Sequence, residues 1–331
     1  MDENVDDSQT RPVQSAGFLR DSSPRSAAQA PLRFAVRSAA GLLMGALSFT
    51  FLILVVNPIQ MASMVIYPFS REAFRAVNRS CAATVWGWWV WMAYVQNRID
   101  IRFRGDRLPR EEDVLIISNH QSMADVLLLM CVAHRCGRLP DMKWFVKDSV
   151  KYVPGPGWGM YFLDCLFVTR NWARDQVRIQ RMFSKYLEHR IPVFIVSFLE
   201  GTRRTEAKTR SSQAFAERSG LYVPQQTLLP RTKGFVATLG ALREHLDAVY
   251  DVTIAYPERV PSLLDCFACR VVCVEVRVER HSLSELPTDD EALAAWALER
   301  FREKDQMLID FQTNQVLPGV RLTASEASTE A

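Results

Sequence analysis

The 331-residue chain carries 40 basic and 37 acidic side chains, a formal net charge of only +3. That balance, without any basic stretch interleaved with aromatics, argues against a nucleic-acid-binding protein, and no nucleic acid is expected as a partner. Seven cysteines lacking the spacing of a paired framework exclude a small disulfide-stapled fold and point to reduced thiols in a cytosolic redox environment.

Residues 1–30, rich in Ser, Asp, Ala, Gln and Arg, are expected to be disordered. Ser38 to Ser70 then contains no charged residue. Ala39 to Val56 is nearly long enough to span a bilayer core, Asn57-Pro58 interrupts it, and Ile59 to Phe69 is too short to return fully. Arg33 and Arg37 precede the apolar stretch, and Arg71, Arg75 and Arg79 follow it. Basic flanks on both sides suit a helix-break-helix element with both ends on the cytoplasmic face; a single transmembrane helix followed by a soluble segment is the alternative. The run is too long and starts too late for a cleaved signal peptide. Cys81 to Val95 holds Trp86, Trp88, Trp89 and Trp91, which suit either a membrane interface or a Trp-rich core helix. Residues 31–98 are therefore expected to form membrane-associated helices, with membrane lipids as partners.

From Ile99 the pattern changes to alternating strands and helices. Strands are expected over Ile99–Arg104, Val114–Ser118, Leu166–Thr169, Pro192–Ser197, Ala248–Tyr256 and Val271–Val278. Helices are expected over Met123–Arg135, Arg174–His189, Lys208–Arg218, Thr232–His245 and Asp289–Leu308, the last with a capping box from Thr288 to Glu291. Such alternation predicts one α/β domain over residues 99–314, a mixed, largely parallel sheet flanked by helices. Residues 315–331 read as a flexible tail. Cys266, Cys269 and Cys273 cluster, but without a nearby histidine they read as buried thiols. Val272, Val274, Val276 and Val278 are expected to share one strand face, and no metal is expected.

The densest chemical signal is Asn119-His120-Gln121-Ser122-Met123-Ala124-Asp125, at a strand-to-helix junction. On one continuous helix, side chains five apart point about 140° away from each other. With His120 in the loop and Asp125 in the first helical turn they meet, and the carboxylate fixes the imidazole tautomer, leaving the other nitrogen as a base. The same spacing gives Ser122 and Asp125 the N-cap and N3 positions, so Asp125 also suits a structural cap.

Active sites of parallel sheets gather at strand-to-helix loops. Arg170 follows one expected strand and Glu200-Gly201-Thr202-Arg203 another. Gly201 permits a tight turn whose amides cradle an anion, and Arg170 and Arg203 present paired N–H donors to a phosphate. Taken singly, each arginine also reads as a solvated surface charge.

These residues resemble the glycerophospholipid acyltransferases that include 1-acylglycerol-3-phosphate acyltransferase. His120 through Asp125 matches the HX4D motif, Phe167 to Arg170 the second motif and Glu200 to Arg203 the EGTR motif, in the usual order over about residues 80–280. Pro230-Arg231-Thr232-Lys233-Gly234-Phe235 and Tyr250-Asp251-Val252-Thr253 resemble blocks of one branch of that family. Leu199 stands where a proline commonly precedes the Glu-Gly-Thr-Arg turn, and the Pro257 region lacks the usual Val-Pro-Val form.

The resemblance implies a membrane-bound enzyme moving an acyl group from acyl-CoA or acyl carrier protein to a lysophospholipid hydroxyl. His120 would be the base and Asp125 its orienting carboxylate. Lys147, Arg170, Glu200, Gly201, Thr202 and Arg203 would serve the acceptor, with Asn119, Pro230 and Lys233 as further candidate contacts. No cofactor is implied, and the site would face the cytosol at a bacterial inner membrane or endoplasmic reticulum. Lysophosphatidic acid is the first acceptor; lysocardiolipin, lysophosphatidylglycerol and lysophosphatidylinositol carry the same phosphate. A lipid hydrolase would need a nucleophile, and no Gly-x-Ser-x-Gly elbow surrounds Ser122. A non-enzymatic lipid-binding protein is the remaining alternative.

Overall fold

The computed structural model describes residues 24–169 and 171–322. The chain divides into two compact units, Met1–Val36 and Arg37–Ala331.

Helix α1 (Pro24–Phe51) begins inside the stretch expected to be disordered, where Ala27, Ala28, Gln29 and Ala30 are good helix formers. The expected interruption at Asn57-Pro58 is not a break. Pro58 lacks an N–H and its ring crowds the carbonyl four residues back; a π-helical turn, Leu52–Val56, absorbs the conflict, and the helix continues as α2 (Asn57–Ser63). Asn57 is fully buried there, taking the Gly155 N–H at 2.8 Å. The run Pro31–Ser63 is long and apolar enough to cross a membrane, with only 28% of its most apolar window buried. The chain reverses over Met64–Phe69, and Ser70 caps α3 (Arg71–Trp91) by accepting from the Ala73 N–H at 3.1 Å. The tryptophans divide between the two expectations. Trp86 and Trp89 are buried, Trp89 donating to Ser48 Oγ at 3.0 Å, while Trp88 and Trp91 are exposed and stack on each other.

The remaining elements follow as β1 (Asp100–Gly105), β2 (Val114–Ser118), α4 (Ala124–Arg135), β3 (Met142–Lys147), α5 (Pro156–Phe162), β4 (Leu166–Val168), α6 (Trp172–Glu188), β5 (Phe194–Ser197), α7 (Glu206–Arg218), α8 (Thr232–Leu242), β6 (Ala248–Ala255), α9 (Leu263–Phe267), β7 (Cys273–Ser282) and α10 (Asp290–Asn314). The seven strands form one sheet in the order β1-β7-β6-β2-β5-β3-β4. From β6 to β4 all neighbours are parallel, β7 is antiparallel to β6, and β1 is parallel to β7. The fold is the expected mixed, largely parallel α/β sheet flanked by helices.

Alternation along each strand feeds two cores. Val114 and Ile116 of β2 join α3 and α4 on one face, while Leu115 and Ile117 join α6, α8 and α10 on the other. β2 is buried on both faces, as a central parallel strand requires. Gly41 of α1 lies so close to α9 that a Cβ would stand 2.1 Å from the Phe267 carbonyl oxygen, so only glycine permits that approach.

Four local expectations are corrected. β3 has no counterpart among the expected strands, because Lys143 and Lys147 mask its period. Val272 precedes β7 and is exposed, while Val274, Val276 and Val278 are buried as expected. The cap of α10 is Asp289, accepting from the Glu291 N–H, since Asp289 rather than Thr288 occupies the extended N-cap position. The start of the expected tail is held: Leu322 N donates to Phe103 O at 2.9 Å and Gly105 N to Val320 O at 3.2 Å, adding a bridge beside β1.

Candidate functional site

The parallel strands deliver their carboxyl ends to one edge of the sheet. There lie Tyr256 after β6, Asn119 and His120 after β2, Phe198 to Arg203 after β5, and Lys147 at the end of β3. Arg170, expected after β4, lies outside the described residues.

Asn119 is fully buried and clasps the end of β6: its Nδ2 donates to Ile254 O and its Oδ1 accepts from Ile254 N, both at 2.9 Å. That places His120 at the lip of the sheet. Its ring stacks on Phe198, centroids 3.8 Å apart and planes 12° off parallel. Its N–H donates to Glu200 Oε1 at 3.2 Å, and its carbonyl accepts from Arg204 N at 2.8 Å. His120 Nδ1 lies 2.9 Å from Asp125 Oδ2, and Nε2 has no partner among the described residues.

Asp125, in the first turn of α4, is completely buried. The same Oδ2 accepts from Gln121 N at 2.7 Å and Ser122 N at 2.8 Å. The capping reading is therefore half realised, since Asp125 reaches back to the Ser122 N–H while also holding the histidine. Ser122 Oγ accepts from Ala124 N and donates to Pro261 O, so this hydroxyl is fully engaged. Tyr256 donates its hydroxyl to the other oxygen, Asp125 Oδ1. Sequence reasoning missed Tyr256, because nothing in the chain signals that a residue 131 positions away reaches the dyad.

Glu200 points inward. Burial pushes its carboxyl well above the usual carboxylate range, the nearby negative Asp125 adds to this, and Oε2 finds no partner among the described residues. Gly201 turns the chain at φ +67°, and a Cβ there would meet Arg231 Cδ at 3.0 Å. Leu199, in place of proline, does not prevent this turn: it is buried in the core, and its carbonyl accepts from Arg231 N at 2.7 Å. Lys208 Nζ donates to Thr202 Oγ1 and to the Arg203 carbonyl, pinning the loop.

The side chains of Arg203, Lys147, Arg231 and Lys233 are exposed and form no hydrogen bond or ion pair among the described residues. Pro230, half-buried, leads Arg231 onto the Gly201 turn. Within the expected block it is Arg231, not Lys233, that packs on this turn, a choice no local sequence signal makes. Asp251, Glu279 and His281 bring ligand atoms within 4.8 Å of one another, but Lys304 and Arg277 already bind the two carboxylates.

Beside α4 an apolar cavity of about 150 Å³ opens between α1, α3 and α5, lined among others by Leu52, Ala82, Trp86, Met123, Leu127 and Leu163.

Residues 100–257 match the acyltransferase family model and residues 265–329 the acyltransferase C-terminus model. The chain is 34% identical to 1-acyl-sn-glycerol-3-phosphate acyltransferase 2 of Brassica napus, over 80% of this chain and 70% of that protein. It is 32% identical to the human gamma form of 1-acyl-sn-glycerol-3-phosphate acyltransferase, over 82% and 74%. The solved 1-acyl-sn-glycerophosphate acyltransferase of Thermotoga maritima is similar at 16% identity and TM-score 0.49, over 84% of this chain and 98% of that one. The family models and the curated relatives define an acyltransferase. The chain belongs to the 1-acyl-sn-glycerol-3-phosphate acyltransferase family.

Proposed function

We propose that the chain transfers a fatty acyl group from a thioester to the free hydroxyl of lysophosphatidic acid, giving phosphatidic acid. The observation that carries this is an imidazole with Nδ1 bound to a buried carboxylate and Nε2 unpartnered, beside unpaired cations.

His120 Nε2 takes the hydroxyl proton, the substrate oxygen attacks the thioester carbonyl, and Asp125 stabilises the imidazolium. The C–S bond then breaks and the protonated imidazole returns its proton to the departing thiolate. The engaged Ser122 hydroxyl supports transfer to a substrate alcohol over a serine-based hydrolysis. The amides of His120, Gln121 and Ser122 are committed to Glu200 and Asp125. Thr202 N and Arg203 N, with no acceptor among the described residues, remain for oxyanion stabilisation. Arg203, Arg231 and Lys147 hold the acceptor phosphate; no metal or redox cofactor enters.

The cavity beside Met123 receives part of the acyl chain, with the remainder in the bilayer. The exposed apolar side chains Leu43, Leu47, Leu54, Val65 and Phe69 support an enzyme seated in the membrane, and the basic residues flanking the apolar stretch support a site open to the cytosol. A matrix of purified lysophospholipids against acyl-CoA and acyl carrier protein thioesters, with labelled acyl groups, tests the reading. Label is expected in phosphatidic acid; label in free fatty acid alone, or in another lysolipid's product alone, would overturn it.

A further inference from the structure

Asp125 is held asymmetrically. Three donors, His120 Nδ1, Gln121 N and Ser122 N, converge on Oδ2. A single donor, the Tyr256 hydroxyl, serves Oδ1. The carboxylate is completely buried, so without that hydroxyl Oδ1 would be a charged oxygen with neither protein donor nor bulk water.

Tyr256 does not reach Asp125 by chance of a mobile loop. It follows the last residue of β6, a strand in register with β2 from Ala248↔Val114 to Val252↔Ser118. The Asn119 amide clasps Ile254, two residues earlier. On the strand's other face the fully buried Lys304 of α10 binds Asp251, the Val252 carbonyl and Thr253. The base, its carboxylate and the tyrosine thus hang from two strand ends tied together twice.

We propose that Tyr256 is a positioning residue of the dyad, its hydroxyl fixing the rotation of the Asp125 carboxylate and drawing off part of its charge. The inference rests on the reading of His120 as the base. Tyr256 keeps its proton throughout; the mobile proton passes from the acceptor hydroxyl to His120 Nε2 and on to the thiolate. The other ionisable groups around the dyad are Glu200 after β5, Arg204 in the same loop, Cys266 on α9 and Lys304 on α10. None of them gives Asp125 a hydrogen bond. In Tyr256→Phe the charge no longer shared with the tyrosine pulls harder on the imidazolium. The acid limb of kcat/KM, which reports the dyad as a unit, then moves upward.

The test measures acyl transfer from palmitoyl-CoA to lysophosphatidic acid against pH, in wild type, Tyr256→Phe, Asp125→Asn and the double variant. Tyr256→Phe is expected to lower kcat roughly tenfold, to leave both KM values within about twofold, and to raise the acid limb. In the Asp125→Asn background the same substitution is expected to change the rate less than about twofold, because Tyr256 acts through Asp125. The limb position does not depend on how much of a variant folds. An unmoved limb, or an equal loss in both backgrounds, would overturn the proposal and leave Tyr256 as packing. His120→Ala separates the two levels: wild-type turnover there sinks the base itself, whereas an inactive His120→Ala with an unmoved Tyr256→Phe limb sinks only the tyrosine.

Discussion

Asp125 holds hydrogen bonds from four donors. Arg203, Arg231 and Lys147, on neighbouring loops of the same sheet edge, hold no side-chain hydrogen bond or ion pair among the described residues. The contrast fits what the proposed reaction would ask of each region. A base accelerates proton transfer only if its geometry and charge are set before substrate arrives, so its partners belong to the protein. A phosphate supplies its own charge, and cations already paired would have to be pulled from their partners to meet it. On the proposed reading, leaving them solvated and unpaired defers their pairing to the substrate.

Breaking the satisfied region should cost most. His120→Ala is expected to lower kcat by about 10³-fold or more, and Asp125→Asn by roughly 10²–10⁴-fold, with membrane sedimentation of both variants unchanged. Steady-state rates and ultracentrifugation check this together. A variant that sediments normally yet keeps turnover would mean that this histidine is not the base.

Breaking the unpaired region should cost less and in a different parameter. Arg203→Ala is expected to raise KM for lysophosphatidic acid by roughly 10–100-fold with a smaller change in kcat, matching the loss of a charge-assisted contact. Arg231→Ala should act in the same direction and more weakly. Wild-type KM should rise with salt, and the Arg203→Ala enzyme should respond less. A drop in kcat alone would move Arg203 from acceptor binding to the chemistry. The apolar cavity predicts a third parameter. Ala82→Phe on α3 should lower kcat/KM for long-chain thioesters by about tenfold relative to short ones, read from a chain-length series, since an added ring displaces methylenes rather than charge.

The sheet was legible from sequence because Val114 to Ile117 is an unbroken apolar run and Ala248–Ala255 is mostly apolar, broken only by Asp251 and Thr253, as strands buried on both faces tend to be. The meeting of His120 with Asp125 was legible too, since loop-plus-first-turn placement is the arrangement that joins residues five apart. β3 was not, for Lys143, buried between Met142 and Trp144, breaks the apolar run that would have marked it. The π-turn before Pro58 was hidden because a proline signals a stop, and the buried Asn57 beside it is tied to Gly155, a contact no local pattern announces. Tyr256, Arg231 and Lys304 were invisible for a common reason: each acts across the sheet on a residue at least 30 positions away, and no local period encodes that.

The smallest expected effect sharpens the contrast from inside the satisfied region. Glu200 gives His120 its backbone acceptor through Oε1, yet burial and the neighbouring Asp125 hold its carboxyl pKa well above the usual range. The folded state therefore binds this proton more tightly than the unfolded chain does. The stability it contributes is complete below the unfolded carboxylate pKa and is lost as pH rises toward the folded one. Glu200→Gln keeps an oxygen acceptor for the His120 N–H and cannot ionise. Its melting temperature should therefore fall less steeply than that of wild type between acid and neutral pH, with the two curves closest at the acid end. Thermal melts of both proteins across that range check this. Parallel curves would mean that Glu200 stays ionised in the fold, with its orphan Oε2 paid for by a contact to something other than the described residues.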